Sequence, residues 1–106
     1  MNLLLVLVTF PDAEKARQIG TTLVGSQLAA CVNLVSGVES IYHWQGKVET
    51  SQEVLAIFKT TQEAWPAFEA RVRELHPYEV PEIVAIKPEQ VSAAYAAWVG
   101  RAVAAC

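Results

Sequence analysis

Residues 30–60 constrain the fold more than any other part of the chain, because they read as two long β-strands joined by a short turn. The first arm is interrupted at Ser36-Gly37, and the turn is at Gln45-Gly46. Side chains of the second arm alternate between two faces with the two-residue period of a strand. Its apolar face carries Val48, Val54, Ala56 and Phe58. These residues predict one long β-hairpin.

The hairpin is too long for the body of a chain of 106 residues. An arm of about fourteen residues extends about 46 Å at ~3.3 Å per residue. A compact chain of this size has a radius of gyration of about 13 Å and is about 35 Å across. The arms therefore extend beyond the body unless the break at Ser36-Gly37 folds one of them back. Since soluble proteins usually cover unpaired strand edges, we expect an oligomer held partly by strand pairing between subunits.

The composition agrees with a single domain, residues 1–106, that makes subunit contacts. Charged residues form 18% of the chain and hydrophobic residues 53%, against roughly 25% charged residues in a typical domain. A small domain of this kind has more apolar surface than it can bury alone. The net charge is −3 and there is no cluster of Lys or Arg. We therefore expect neither nucleic acid nor an anionic membrane surface as a partner.

The two cysteines, Cys31 and Cys106, indicate the compartment. They are far apart and do not form the disulfide framework of a small secreted protein, so we expect a reducing cytoplasm. The apolar start of the chain, residues 3–8, lacks the basic residues and the cleavage site of a signal peptide. No segment approaches the ~20 apolar residues of a membrane span. We interpret the start as a buried strand.

Outside the hairpin, the spacing of apolar residues predicts the remaining helices and strands. Proline at 77 should end the second helix at His76, because the residue before a proline is pushed out of the helical region. The predicted elements are a strand at 3–9, a helix capped by Asp12 that stops near Gly25, the hairpin, a helix that begins as late as Ala64 or Trp65, a strand at 83–86 and a helix after Ser92. This order predicts an α+β, ferredoxin-like βαββαβ sandwich with a C-terminal helix. We expect helices on one face of its antiparallel sheet and subunit contacts on the other.

Four blocks of the sequence resemble one known family. They are residues 29–33, 40–47, 59–61 and 76–83, followed by Tyr95 and Trp98. In this order they resemble the CutA proteins, often called divalent-cation tolerance proteins, over nearly the whole chain. The resemblance implies a homotrimer that is PII-like in fold and assembly, and a role in the response to metal ions. It also implies copper(II) binding, and it implies no catalytic activity.

A copper site requires imidazole or thiolate ligands. The chain offers His43, His76, Cys31 and Cys106, with Glu79 and Glu82 as weaker oxygen ligands. None of them has a recognised metal spacing. We predict a site centred on His76 and assisted by Glu79 or Glu82, because His76 lies between a helix end and two proline-restricted turns. The alternative is that its ring caps the last helical carbonyls.

The resemblance also shows where this chain departs from the family. Members with a proposed copper site have a cysteine at the position of Val8 and a histidine at the position of Leu75. Because these two ligands are missing here, we expect copper or another divalent cation to bind only weakly. For Cys31 we expect the role of a small buried hydrophobic residue, and for His43 that of a solvated strand residue.

Exposed aromatic residues have two interpretations. Tyr42, Trp44 and Trp98 are predicted to lie in the trimer interface, because aromatic residues are enriched in such contacts. The alternative is a ligand-stacking set that includes Tyr95.

Lys59 and Tyr78 are candidates for a ligand cleft between subunits. A PII-like sensor would bind a small anion there, whereas the alternative is a buried ion pair with a hydrogen bond that involves Glu82. No Gly-rich phosphate loop, Ser/His/Asp set or pair of carboxylates at catalytic spacing is apparent in the sequence. We therefore do not expect an enzyme.

Overall fold

The computed structural model describes residues 2–103 of the chain, so Cys106 lies outside the described residues. Along these residues the elements are β1 (Leu3–Phe10), α1 (Ala13–Gly25), β2 (Cys31–Trp44), β3 (Lys47–Thr61), α2 (Trp65–Leu75), β4 (Ile83–Ile86) and α3 (Ala93–Ala102). The predicted α+β order is confirmed. In this part of the chain, every helix is too short or too polar to cross a membrane.

The four strands form one antiparallel sheet in the order β2-β3-β1-β4. Helices α1 and α2 cover the face that carries Val6 and Phe58. Helix α3 packs on Leu3 and Leu5, which alternate with Val6 and point to the opposite face. Our expectation that the helices share one face is therefore wrong for α3. We call this second face, which α3 covers only at one end, the open face.

Helix α1 begins and ends with specific backbone contacts. The Asp12 carboxylate accepts a hydrogen bond from the Lys15 backbone N–H at 2.8 Å, which confirms the predicted cap. At the other end, the Leu28 N–H donates to the Leu23 carbonyl at 3.0 Å, and Gln27 has φ +63°. This is a Schellman motif in which Gln27 is the left-handed residue. The predicted stop near Gly25 is confirmed, because Gly25 is the last residue of the helix.

Helix α2 supplies large side chains to the core. The Thr61 hydroxyl accepts the Ala64 N–H at 3.2 Å in the turn before the helix. Phe68 and Val72 are fully buried, and the Phe68 ring meets the edge of Phe58 with ring centroids 5.1 Å apart. The helix stops at His76, whose ψ of 137° is extended, as expected for a residue before proline.

The hairpin of β2 and β3 extends beyond the body. Of the residues in β3, only 54–61 pair with β1, so the outer residues 47–53 lie beyond the end of that strand. The longest dimension of the chain is 44 Å. At the tip, Gln45 and Gly46 both have positive φ, as in the two-residue turns that match the twist of a hairpin. The break at Ser36-Gly37 does not fold the arm back. It is a β-bulge between Val35 and Val38, with Gly37 at φ +76°.

Candidate functional site

A groove of about 880 Å³ lies between the hairpin and the segment of residues 76–82, which joins α2 to β4. We call it the hairpin groove. Its aromatic and acidic lining residues are Tyr42, Trp44, Glu53, Tyr78, Glu79 and Glu82. The overhang of β2 and β3 provides one wall, and the proline-bounded segment provides the other.

His76 anchors the 76–82 segment to the end of β1. Its ring is only 7% exposed and stacks on Phe10, with ring centroids 4.8 Å apart. Nδ1 accepts the Tyr78 backbone N–H at 3.0 Å, so the proton lies on Nε2, which donates to the Thr9 carbonyl at 2.7 Å. Both nitrogens are therefore engaged in hydrogen bonds with β1 and with the segment itself, rather than with the last carbonyls of α2. In this arrangement the ring has no lone pair free for a metal ion.

A second contact joins the segment to the hairpin. The Tyr78 hydroxyl donates to Glu53 Oε2 at 2.6 Å, and Glu53 is only 8% exposed. Burial, followed by the hydrogen bond and the negative charge of Glu53, raises the pKa of Tyr78 well above its usual range, so the hydroxyl keeps its proton. In the sequence, Glu53 is one of several polar residues that alternate with apolar ones along the second arm of the hairpin. The partner that distinguishes it lies 25 residues away, and no local pattern reveals it.

Protonation of His76 should destabilise the folded protein. Burial lowers the pKa of His76 below its ordinary value of 6.5, although the Thr9 carbonyl and Glu53 act in the opposite direction. The folded state then binds fewer protons than the unfolded state between the lowered pKa and 6.5. The stability contributed by the neutral His76 ring is fully present above pH 6.5. It is lost as the pH falls below 6.5 and through the lowered pKa of the folded state. We expect unfolding curves recorded from pH 8 to pH 5 to show this loss.

Two variants test the assignment of this pH dependence. His76→Gln should be less stable at pH 8 and should show a flatter slope of stability against pH. His43→Gln removes the other histidine, which is exposed on the hairpin, and should keep the slope of the parent protein. An unchanged slope in His76→Gln would contradict the role of the buried ring.

The predicted metal ligands are not gathered in one place. Among residues 2–103, no group of three or more His, Cys, Asp and Glu side chains has the geometry to hold a metal ion. Glu79 and Glu82 are exposed, whereas His76 is buried. Val8, at the position where the resemblance implies a cysteine in members with a proposed copper site, is fully buried in the core.

Cys31 is partly exposed and contacts α3. Its Sγ lies 3.4 Å from the Tyr95 hydroxyl oxygen. This hydrogen bond, together with burial, raises the pKa of Tyr95 to about 12. Cys31 is therefore less buried than expected, and it has a polar partner.

Lys59 and Tyr78 do not share a cleft within one chain. Lys59 lies on the open face, where its ammonium donates to Asn33 Oδ1. Along β3 it lies six positions from Glu53, the partner of Tyr78, which corresponds to about 20 Å along the strand. The predicted interface residues Tyr42, Trp44 and Trp98 are 43%, 45% and 41% exposed.

Comparisons with known proteins give one consistent result. A family model described as CutA1 divalent ion tolerance protein matches residues 4–102. The divalent-cation tolerance protein CutA of Thermus thermophilus is 50% identical over 93 residues, which span 88% of this chain and 90% of that protein. The crystal structure of CutA from Xylella fastidiosa superposes with a TM-score of 0.95 at 36% identity, and covers 98% of this chain and 100% of its own.

A third relative is named for the compartment in which it occurs. The structure of the periplasmic divalent cation tolerance protein CutA from Archaeoglobus fulgidus superposes with a TM-score of 0.92 at 31% identity, and covers 96% of this chain and 99% of its own. The same fold therefore occurs in a relative that is named for a compartment other than the cytoplasm.

Proposed function

This chain belongs to the CutA1 divalent ion tolerance family, and we propose that it acts in divalent-cation tolerance as a homotrimer with weak copper(II) binding. The observation that carries the proposal is the match of residues 4–102 to the family model. The likeness to solved CutA structures at TM-scores above 0.9 supports it.

Two features support the trimer. The outer part of β3, residues 47–53, pairs with β2 and has no second neighbour in the described chain. The open face and its edges also expose aliphatic side chains, among them Val35, Val84 and Ile86. Subunit contacts would cover both the open strand edge and these apolar side chains.

The proposed copper site is centred on His76, with Glu79 and Glu82 as oxygen ligands. Metal binding must displace at least one of the two hydrogen bonds of the imidazole ring. Side chains must also rearrange before Glu79 and Glu82 can share an ion with the ring, because no group of three such ligands is in place among residues 2–103. These costs give a physical reason for weak binding, and they add to the absence of ligands at Val8 and Leu75.

A copper titration tests this proposal. In a Cys106→Ser background, which removes the terminal thiol, His76→Ala should weaken copper binding at least about tenfold, equivalent to about 1.4 kcal/mol. The control His43→Ala should bind as the parent does. Because His76→Ala disturbs the core, the exposed pair Glu79→Gln and Glu82→Gln provides a second test that leaves the ring in place. Equal binding by all of these proteins would show that copper is bound elsewhere or only adventitiously.

The alternative function is a PII-like sensor of a small anion. Lys59 and Tyr78 would then have to come from different subunits, since they lie far apart within one chain. The lining of the hairpin groove is acidic, so this groove does not favour an anion. A stabilising effect of an anionic metabolite in metal-free buffer would support the sensor.

For compartment and partners we retain the inferences from composition. We propose a cytoplasmic protein on the basis of its two widely separated cysteines. The net charge of −3 argues against nucleic acid as a partner. We propose no enzymatic step.

A further inference from the structure

Lys59 is the only charged residue on the open face in the part of the sheet where β3 pairs with β1. The register places Leu5 of β1 and Cys31 of β2 directly beside it. Its ammonium donates to Asn33 Oδ1, and none of the ion pairs formed by residues 2–103 includes it. In the single chain, Lys59 is therefore a partly buried cation among uncharged neighbours, with an amide oxygen but no carboxylate as its partner.

In the trimer proposed above, on which this inference rests, a second copy covers the open face and removes water from Lys59. A buried charge is costly unless it is paired and hydrogen-bonded, and lysine is almost never fully buried without a partner. In its own chain, Glu53 and Glu82 lie near the far end of this face, at least three strand residues or about 10 Å away. Glu63 accepts a hydrogen bond from Asn2 instead. The carboxylate for Lys59 must then come from the second copy.

The hairpin carries a suitable carboxylate beside the aromatic rings that we assign to the subunit contact. Beyond the bulge, Tyr42 and Trp44 lie on the open-face side of the hairpin, and Tyr42 pairs with Glu49 of β3. Glu49 is exposed, and it belongs to none of the ion pairs in the described part of the chain. Within one chain, Glu49 and Lys59 are ten positions apart on the same strand, or about 33 Å, so they can pair only between copies.

We propose that the hairpin of one copy lies across the open face of the next copy, where its Glu49 pairs with Lys59. The rings of Tyr42 and Trp44 then cover aliphatic side chains of that face, such as Ile86, which is 44% exposed in the single chain. The contact is head-to-tail, because its two surfaces come from different parts of the chain, and such contacts close into a ring when the rotation allows it. In a trimer the pair forms three times.

The ion pair gives this contact its register. Apolar rings on an aliphatic surface tolerate a shift of position, whereas a shifted hairpin would leave Lys59 covered and without its carboxylate. Complementary charges in an interface contribute specificity in this way, because the wrong arrangements carry a large cost.

Charge reversal followed by sedimentation over a range of protein concentrations tests the pair. Lys59→Glu and Glu49→Lys should each raise the concentration at which the assembly dissociates by at least about thirtyfold, since each places like charges in a desolvated contact. The double variant Lys59→Glu/Glu49→Lys should recover most of this loss, a result that misfolding of a single variant cannot produce. The control Glu39→Lys reverses an exposed charge on the opposite face of the hairpin and should assemble as the parent does.

The outcomes distinguish this pair from the trimer itself. A parent protein that does not form trimers would overturn both proposals. If the parent is trimeric, the pair alone is overturned when either single variant assembles as the parent does, or when the double variant assembles no better than the weaker single variant. Recovery of Lys59→Glu by Glu82→Lys, and not by Glu49→Lys, would also overturn it, because the contact would then use the other end of the open face.

Discussion

Replacement of Phe58 by alanine is expected to lower the free energy of unfolding by about 3–5 kcal/mol. Phe58 is fully buried in β3, pairs with Val6 of β1 and meets Phe68 of α2 edge to face. Truncation removes the contact between the sheet and α2 and leaves a cavity between fixed elements, which can collapse only partly. Denaturant unfolding at a fixed subunit concentration measures the change, since assembly and folding are linked.

The matched control for Phe58 is Val80→Ala. Val80 is a large apolar residue but is 74% exposed, so its truncation should change stability by no more than about 0.5 kcal/mol. A loss of less than 1 kcal/mol for Phe58→Ala would show that the sheet and α2 do not form one rigid core.

Trp44→Ala is expected to weaken trimer assembly by about 2 kcal/mol or more, the size of a hot-spot truncation. Trp44 belongs to the outer arm of β2 and pairs with Lys47 at the tip of the hairpin. Nearly half of its side chain is exposed in the single chain, so a subunit contact has a large aromatic surface to bury. Sedimentation over a range of protein concentrations measures the shift in the dissociation constant.

Val48→Ala provides the control for this experiment. Val48 is also apolar, exposed and close to the tip, but it pairs with His43 and points to the other face of the hairpin. If the subunit contact is made by the face of the hairpin that carries Trp44, we expect the Val48→Ala variant to assemble nearly as the parent does. A Trp44→Ala protein that stays trimeric at the same concentrations as the parent would refute the anchor role.

Local chemistry made much of the fold predictable. The Asp12 cap, the break before Pro77 and the strand Ile83–Ile86 each follow from a few adjacent residues, and each is present in the structure. The length of the hairpin follows from counting residues at a fixed rise. The face chosen by α3 did not follow, because a helical stripe specifies which side of the helix is buried and not which side of the sheet receives it.

The site was harder to predict than the fold, because its contacts join distant parts of the chain. His76 meets Thr9 across 67 residues, and Tyr78 meets Glu53 across 25. The periodic spacing of apolar residues gives no information on contacts between side chains so far apart in the sequence. The sequence did single out the segment that contains His76 and Tyr78. It assigned the histidine to a metal or a helix end, and the structure uses it to attach this segment to β1.

The bulge at Ser36-Gly37 changes the phase of β2. On the body side of the bulge, odd-numbered residues such as Asn33 and Val35 pair with the open-face residues of β3, whereas beyond it the even-numbered Tyr42 and Trp44 do so. One extra residue therefore selects aromatic rings, rather than Ile41 and His43, for the side of the hairpin that carries Glu53. The chemistry of the groove is set in this way by a backbone irregularity several residues away, at a position that contributes no side chain to it.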